Sequence, residues 1–261
     1  MSKIRYEVDD KVATITLNDP DTLNAASLSV VDAFIDALTK AGREARCVII
    51  TGEGRGFCSG ANLAGGDFKE GQSDPEHFDV GRLVQSHNNP MVLAMRDHPT
   101  PILTAVNGIA AGVGCSLALM GDIVLASEKA SFLQAFSRIG LVPDGGSSWL
   151  LARTIGRVRA MEMALLAEKL PAEKALEWGM INRICAPDAL MPEARKIALQ
   201  LGDGPVSLAM TRKLIWSATD SSFADALHAE RLGQRDAGFT RDAKEGINAF
   251  LEKRAAEFKG E

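Results

Sequence analysis

The sequence lacks the usual signs of several protein classes. Its four cysteines, Cys47, Cys58, Cys115 and Cys185, are scattered without a Cys-x-x-Cys pair, which excludes a zinc framework and a small disulfide scaffold. Aromatic residues make up only 5% of 261 residues, so the core is aliphatic and rich in alanine, as where helices cover a sheet. An excess of positive charge is also missing. Twenty-nine basic against thirty-four acidic residues leave a net charge of −5, which argues against a chain built to coat nucleic acid. The 24 glycines follow no period and 46% of the chain is hydrophobic, which rules out collagen-like order and disorder. The start, Met1 to Tyr6, has no apolar run of a signal peptide, so the expected compartment is a reducing cytoplasm.

Several motifs are absent as well. There is no Gly-x-Ser-x-Gly elbow for a serine nucleophile. The loop Gly52 to Phe57 lacks the Lys-Ser/Thr of a phosphate loop, and Gly112-Val113-Gly114-Cys115-Ser116-Leu117 lacks the third glycine of a dinucleotide fingerprint. His77, His87, His98 and His228 have no metal-ligand spacing; His77 and His87, near Asp74 and Asp79, read as a solvated loop, and no metal is expected. One stretch, His98 to Gly121, carries no Asp, Glu, Lys or Arg and is long enough to span a bilayer. It also contains Pro99, Pro101, Asn107, Gly108, Gly112 and Gly114, which fit a buried strand, a glycine turn and a buried helix, not a membrane span.

What is present is an alternation of strands and helices. Ile4 to Asn18 reads as a hairpin bent at Asp9-Asp10, and Ser29 to Thr39 as a helix with Val30, Val31, Phe34, Ile35 and Leu38 on one face, closed by Gly42. Cys47 to Ile50, Ile102 to Val106 and Ile123 to Ala126 read as buried strands. Asp67 to Asn89 has the weakest pattern and leads into a helix carrying Val84, Met91, Val92 and Met95. Beyond Pro143 the pattern becomes helical: two pieces over Ser147 to Ala167 broken near Gly156, a helix between Pro171 and Gly179, a last short strand over Met180 to Cys185, and four helices, Pro187 to Leu201, Pro205 to Ser217, Ser222 to Arg235 and Arg241 to Phe258. The expected class is α/β with parallel sheet and crossover helices, and a soft boundary falls near Gly202 to Gly204.

Three segments carry possible chemistry. Gly56-Phe57-Cys58-Ser59-Gly60-Ala61-Asn62-Leu63 and Asn107-Gly108-Ile109-Ala110-Ala111-Gly112-Val113-Gly114 are glycine-rich junctions that each follow a strand. Glycine permits backbone approaches that a side chain blocks, and free N–H groups at a helix start bind anions. Two such junctions converging would aim two amides at one developing oxyanion; close helix–strand packing alone accounts for a single junction. The third segment is Ile139 to Gly146, in which Asp144 follows Pro143 and precedes Gly145 and Gly146. It reads either as a turn aspartate or as a general base whose apolar wall of Ile139, Leu141, Val142 and Trp149 raises its pKa.

Taken together these segments resemble the crotonase superfamily, the enoyl-CoA hydratase/isomerase family. The likeness covers essentially the whole chain: Asn18 to Ala25, Gly56 to Leu63, Asn107 to Ala118 with Gly121 to Ile123, Ile139 to Gly146, Ala175 to Asn182 and Glu245 to Arg254. Six pieces in order are specific where any one is weak. The resemblance implies a spiral of ββα repeats over residues 1–203 holding an acyl-CoA site, then a helical region over residues 204–261 that closes over the coenzyme A and builds a homotrimer or a dimer of trimers. It implies an acyl-CoA thioester as substrate, no cofactor beyond that coenzyme A, and an oxyanion hole made by the backbone N–H groups of Ala61 and Val113. Asn24, Ala25, Ser59, Gly60, Asn62, Leu63, Gly112, Ser116, Phe136, Leu141 and Lys253 are the implied substrate contacts, with Arg55, Arg96 and Arg254 as further candidates for the phosphates. The two glutamates with which family hydratases activate water fall on Ser116 and Phe136, neither of which is a carboxylate. An acid stands instead at Asp144, and the run Phe136 to Asp144 through Trp149 to Arg153 most resembles the 1,2-epoxyphenylacetyl-CoA isomerase branch. The expectation is a proton shift in an unsaturated acyl-CoA with Asp144 as the single base; hydration of a 2-enoyl-CoA and a non-catalytic acyl-CoA-binding homologue are the alternatives.

Overall fold

In the computed structural model, which describes residues 2–63 and 79–261, the chain opens with the expected hairpin. β1 (Ile4–Asp9) and β2 (Val12–Leu17) pair antiparallel from Ile4–Leu17 to Asp9–Val12. Asp10 and Lys11 between them both take positive φ, 46° and 67°, the tight turn whose twist matches that of the flanking strands. Helix α1 (Leu28–Glu44) buries Val30, Val31, Phe34, Ala37, Leu38 and Ala41. Gly42 does not end it. A Cβ there would stand 3.0 Å from Cγ of Pro99, so this glycine admits close packing and the helix continues past it.

The chain then builds a repeated unit. β3 (Cys47–Gly52) and β4 (Gly56–Cys58) are followed by α2, which starts as Val80–Leu83, passes through a π-helical turn at Val84–Asn88 and continues as Asn89–Arg96. Residues 64–78, with Asp74 and His77 and much of the weakly patterned stretch, lie outside the described residues. β5 (Ile102–Val106) and β6 (Ile109–Ala111) lead into α3 (Val113–Leu119), all seven residues of which are buried. β7 (Ile123–Ser127), β8 (Ser131–Leu133) and a 3₁₀ turn at Ala135–Ile139 lead into α4 (Ser147–Thr154) and α5 (Arg157–Leu166). Within each pair the first strand joins a six-stranded sheet ordered β1-β2-β3-β5-β7-β10, and the second joins a four-stranded sheet of β4, β6, β8 and β9. That alternation winds the chain as the expected spiral of ββα units.

β9 (Leu170–Pro171), α6 (Ala172–Glu177) and β10 (Arg183–Cys185) complete the sheets. The last strand is shorter than Met180 to Cys185, because Asn182 turns its side chain to accept the Val124 N–H at 2.8 Å. α7 (Leu190–Gly202) covers one face of the large sheet, packing Leu190, Ala194, Ile197 and Ala198 on Val12, Cys47, Ile49, Leu103, Ala105 and Leu125. The alternate residues Val48 and Ile50 point to the larger core with α1. A strand covered on both faces reads as a continuous apolar run, which is what Cys47 to Ile50 shows.

The remaining chain is α8 (Ser207–Ala218), α9 (Phe223–Gly238) and α10 (Arg241–Glu252). α8 is fastened to the spiral by Arg212, which pairs with Asp122 at 2.6 Å and donates to the carbonyls of Met95, Arg96 and His98. α10 stops at Glu252, not Phe258. Lys253 turns left-handed at φ 55°, and the tail folds back so that the buried Asp242 carboxylate accepts the N–H groups of Val206, Lys259 and Gly260.

Candidate active site

Two neighbouring strands bring the glycine junctions together. β4 and β6 run parallel, with Gly56 opposite Ile109 and Cys58 opposite Ala110, so the segments that leave their carboxyl ends emerge side by side. Ligands of parallel sheets collect at such ends. The approach depends on missing side chains: a Cβ on Gly60 would stand 2.8 Å from the Ala111 carbonyl oxygen, and one on Gly114 would stand 2.3 Å from that of Cys58. Gly60 also has φ +98° and Gly112 φ +53°, conformations that favour glycine.

The two junctions end in the N–H groups of Ala61 and Val113, which donate to no acceptor among the described residues. On one side the Ala26 N–H bonds the Gly60 carbonyl at 2.8 Å, and Ala61, itself exposed, forms an isolated bridge with Ala26. On the other, the Gly112 N–H bonds Leu133 O at 2.9 Å, and Val113 is the first residue of α3. A first-turn N–H has no partner within its own helix and carries the positive end of the helix dipole. Such N–H groups are suited to binding a partial or full negative charge.

Asp144 enters from a third element. Its turn is Gly145 (φ +57°) and Gly146 (φ +78°), and a Cβ on Gly145 would meet Val113 Cγ2 at 3.0 Å and Ser116 Cβ and Oγ at 3.1 Å. The turn therefore lies directly on the first residues of α3. The Asp144 carbonyl accepts three donors: Ser116 Oγ at 3.1 Å, Ser147 Oγ at 2.8 Å and the Ser147 N–H at 3.1 Å. Its carboxylate is half-buried. Oδ2 accepts Nδ2 of Asn88 at 3.1 Å, whereas Oδ1 is sealed from solvent without a hydrogen-bond partner among the described residues. Burial pushes the Asp144 carboxyl above the usual carboxylate range, and the Asn88 hydrogen bond pulls it partly back.

The other sequence candidates divide. Phe136 is buried against the junction, its Cζ 3.6 Å from where a Cβ on Gly112 would lie, and Leu141 donates its N–H to Phe136 O at 3.0 Å. Asn62 and Leu63 follow Ala61 with partial or full exposure, and Ala25 is buried beneath the junction. Three candidates have their side chains engaged inside the protein. Asn24 is 1% exposed, accepts the Asp19 N–H, and donates to the carbonyls of Glu53 and Gly56; it braces the turn before the first junction. Ser59 donates to Thr22 O, and Ser116, 0% exposed, serves the Asp144 turn, not an open cleft. Lys253 sits at the far end of α10 and no bond joins it to these residues, while Arg254 is held by Glu245 and Glu252, and Arg96 by Asp97. His98 is buried between Leu38 O and Thr100, and burial lowers its pKa; it is a structural histidine.

Asn88 and Ser147 were not signalled by the sequence. Asn88 lies 56 residues from Asp144 in the pattern-poor region, and an isolated asparagine has no spacing rule. Ser147 was legible only as the start of α4. Among the described residues no three His, Cys, Asp or Glu side chains cluster as a metal ion would need.

Comparison with known proteins agrees along the whole chain. The model of the Enoyl-CoA hydratase/isomerase family matches residues 7–261. A 1,2-epoxyphenylacetyl-CoA isomerase of Escherichia coli (strain K12) is 41% identical over 100% of this chain and 99% of its own. A probable enoyl-CoA hydratase of Rhodobacter capsulatus is 38% identical over 98% of both chains. The crystal structure of an enoyl-CoA hydratase from Polaromonas sp. JS666 superposes with a TM-score of 0.89 at 32% identity, covering 98% of this chain and 99% of that one.

Proposed function

The chain belongs to the enoyl-CoA hydratase/isomerase family, a family of enzymes acting on CoA thioesters, and we propose that it is an isomerase that shifts a proton and a double bond in an unsaturated acyl-CoA. The thioester oxygen would sit between the N–H groups of Ala61 and Val113. The Asp144 carboxylate takes a proton from the carbon beside the thioester or its conjugated extension, and the electron pair moves onto the thioester oxygen as an enolate. Asp144 then returns the same proton two carbons along, and the double bond moves with it. No redox step and no cofactor besides the coenzyme A of the substrate is required.

One observation carries this reading: among the described residues, Asp144 is the carboxylate held against the amide junctions, with Oδ1 sealed and unpartnered; the resemblance to the family adds that its water-activating glutamates fall on Ser116 and Phe136. One base can serve both half-reactions if the proton leaves and returns on one face. Each oxyanion donor is worth about 3–4 kcal/mol and a positioned base about 10²–10⁴-fold in rate, going by deletions in other enzymes.

Product analysis tests it. A 3-enoyl-CoA is expected to yield the conjugated 2-enoyl thioester with its ultraviolet absorbance, and a 2-enoyl-CoA is expected to give no 3-hydroxyacyl product. Rapid formation of the water adduct would replace this reading with hydration, and binding without turnover on either substrate would replace it with a non-catalytic acyl-CoA-binding protein.

The same reading takes the enzyme to be a trimer or a dimer of trimers working in the cytoplasm. Support for association comes from large apolar side chains left bare in one chain, among them Phe223, Phe239 and Phe250 at 78–82% exposure. Support for a reducing compartment comes from Cys47, Cys58, Cys115 and Cys185, all free thiols. No helix among the described residues is long and apolar enough to cross a membrane.

A further inference from the structure

We infer that Asn88 is a positioning residue that decides which oxygen of Asp144 carries the proton: it holds Oδ2, leaving Oδ1 alone to take and return it. This rests on the reading of Asp144 as the base. Asp144 is fixed in two independent ways. Its main chain is clamped by Ser116 and Ser147 through the carbonyl, and neither serine bonds the carboxylate. The single hydrogen bond to the carboxylate among the described residues is that from Asn88 Nδ2 to Oδ2 at 3.1 Å. Without it the carboxylate has no hydrogen bond to stop it rotating, and its two oxygens become equivalent.

Asn88 reaches Asp144 from an unusual place. It closes the π-helical turn Val84–Asn88 in the middle of α2. A π turn inserts residues into a helix, rotates the side chains that follow, and is frequent at functional sites. A donor of this kind suits a base. Asn88 is neutral, so it fixes the oxygen without the strong acidifying effect of a cation.

Among the described residues, charged groups on the neighbouring elements are engaged elsewhere. On α2, Arg82 pairs with Asp79 and His87 bonds Ser86. On the Ala135–Ile139 turn, Arg138 bonds Ala167 O. On α4, Arg153 pairs with Asp220. α3 offers only the buried Cys115 thiol, pushed up to about 12 by burial. The sealed, unpaired Oδ1 is costly to keep in a folded protein, as expected of an atom retained for chemistry.

The test is a carboxyl ¹³C NMR titration of aspartate-labelled protein, with Asp144→Asn identifying the resonance, alongside pH profiles of kcat and KM. In Asn88→Ala the Asp144 titration is expected to move to higher pH, the acid limb of kcat to move with it, and kcat to fall about 10–100-fold with KM within about twofold. Asn88→Asp, of the same size, keeps the measurement possible if the alanine variant does not fold; it brings a like charge to Oδ2, so its Asp144 titration moves up further.

An Asp144 titration unchanged in either folded variant overturns the inference, as does a titration that moves while kcat stays within about twofold. The titration does not depend on turnover. If Asp144→Asn keeps its activity, the base reading fails by itself, and the NMR still reports whether Asn88 holds the carboxylate.

Discussion

The two glycine junctions look alike in sequence and differ in structure. The junction after β6 runs straight into α3, where every residue is buried, and its amide at Val113 lies at a helix N-terminus. The junction after β4 runs into Ala61, an exposed residue that bridges to Ala26. The Asp144 turn leans on the first of these, through Val113 and Ser116. One amide is thus part of the core and its geometry is inseparable from folding. The other lies on an exposed residue at the rim. On the proposed reading, the core half carries the base and the exposed half completes the oxyanion pair.

Substitutions at the two contact glycines should separate these halves most strongly. Gly114→Ala puts a Cβ 2.3 Å from the Cys58 carbonyl oxygen, a clash between main chains, and should cost at least about 3 kcal/mol of stability by denaturant unfolding or abolish soluble expression. Gly60→Ala meets the Ala111 carbonyl oxygen at 2.8 Å and must also hold φ +98°, so it too should cost about 1–3 kcal/mol of stability. In the folded protein it should also lower kcat by about 10²-fold, through displacement of the Ala61 amide. A folded Gly60→Ala variant with the kcat of the wild type would erase the distinction.

Smaller changes sharpen it. Ser116→Ala removes one of three donors to the Asp144 carbonyl and should cost about 1 kcal/mol, with a decrease in kcat of a few fold and no change in KM. Asp144→Asn should raise stability at neutral pH, because burial lifts the folded-state pKa of the acid. The native state then binds a proton more readily than the unfolded chain, so stability falls as pH rises from the ordinary carboxylate value to the raised one. The asparagine variant escapes that loss. Its advantage should be fully present above that window and should vanish below the ordinary carboxylate range, as read from thermal unfolding across pH.

Much of this architecture was legible from residues alone. Cys47 to Ile50 and Ile102 to Val106 announce central strands because both faces are covered and no polar alternation is needed. The Asp144 turn was legible because Pro143 and two glycines leave few other conformations. What escaped depends on contacts between distant segments. Gly42 read as a helix stop, and its true role appears only once Pro99 is packed against it. The end of α10 was set too late because its amphipathic pattern runs on to Phe258, whereas Asp242 captures the returning tail. Ser116 read as a substrate contact, and only the folded turn shows it spent on the Asp144 carbonyl. Asn88 had no signal, since its meaning lies in a partner on another element.

The most direct test compares Asp144→Asn with the wild type on one 3-enoyl-CoA, measuring kcat and the dissociation constant of the acyl-CoA together. A single carboxylate acting as the base predicts that kcat falls about 10²–10⁴-fold while binding changes by less than about threefold, since the amides of Ala61 and Val113 are untouched. Turnover within about twofold of the wild type would contradict it.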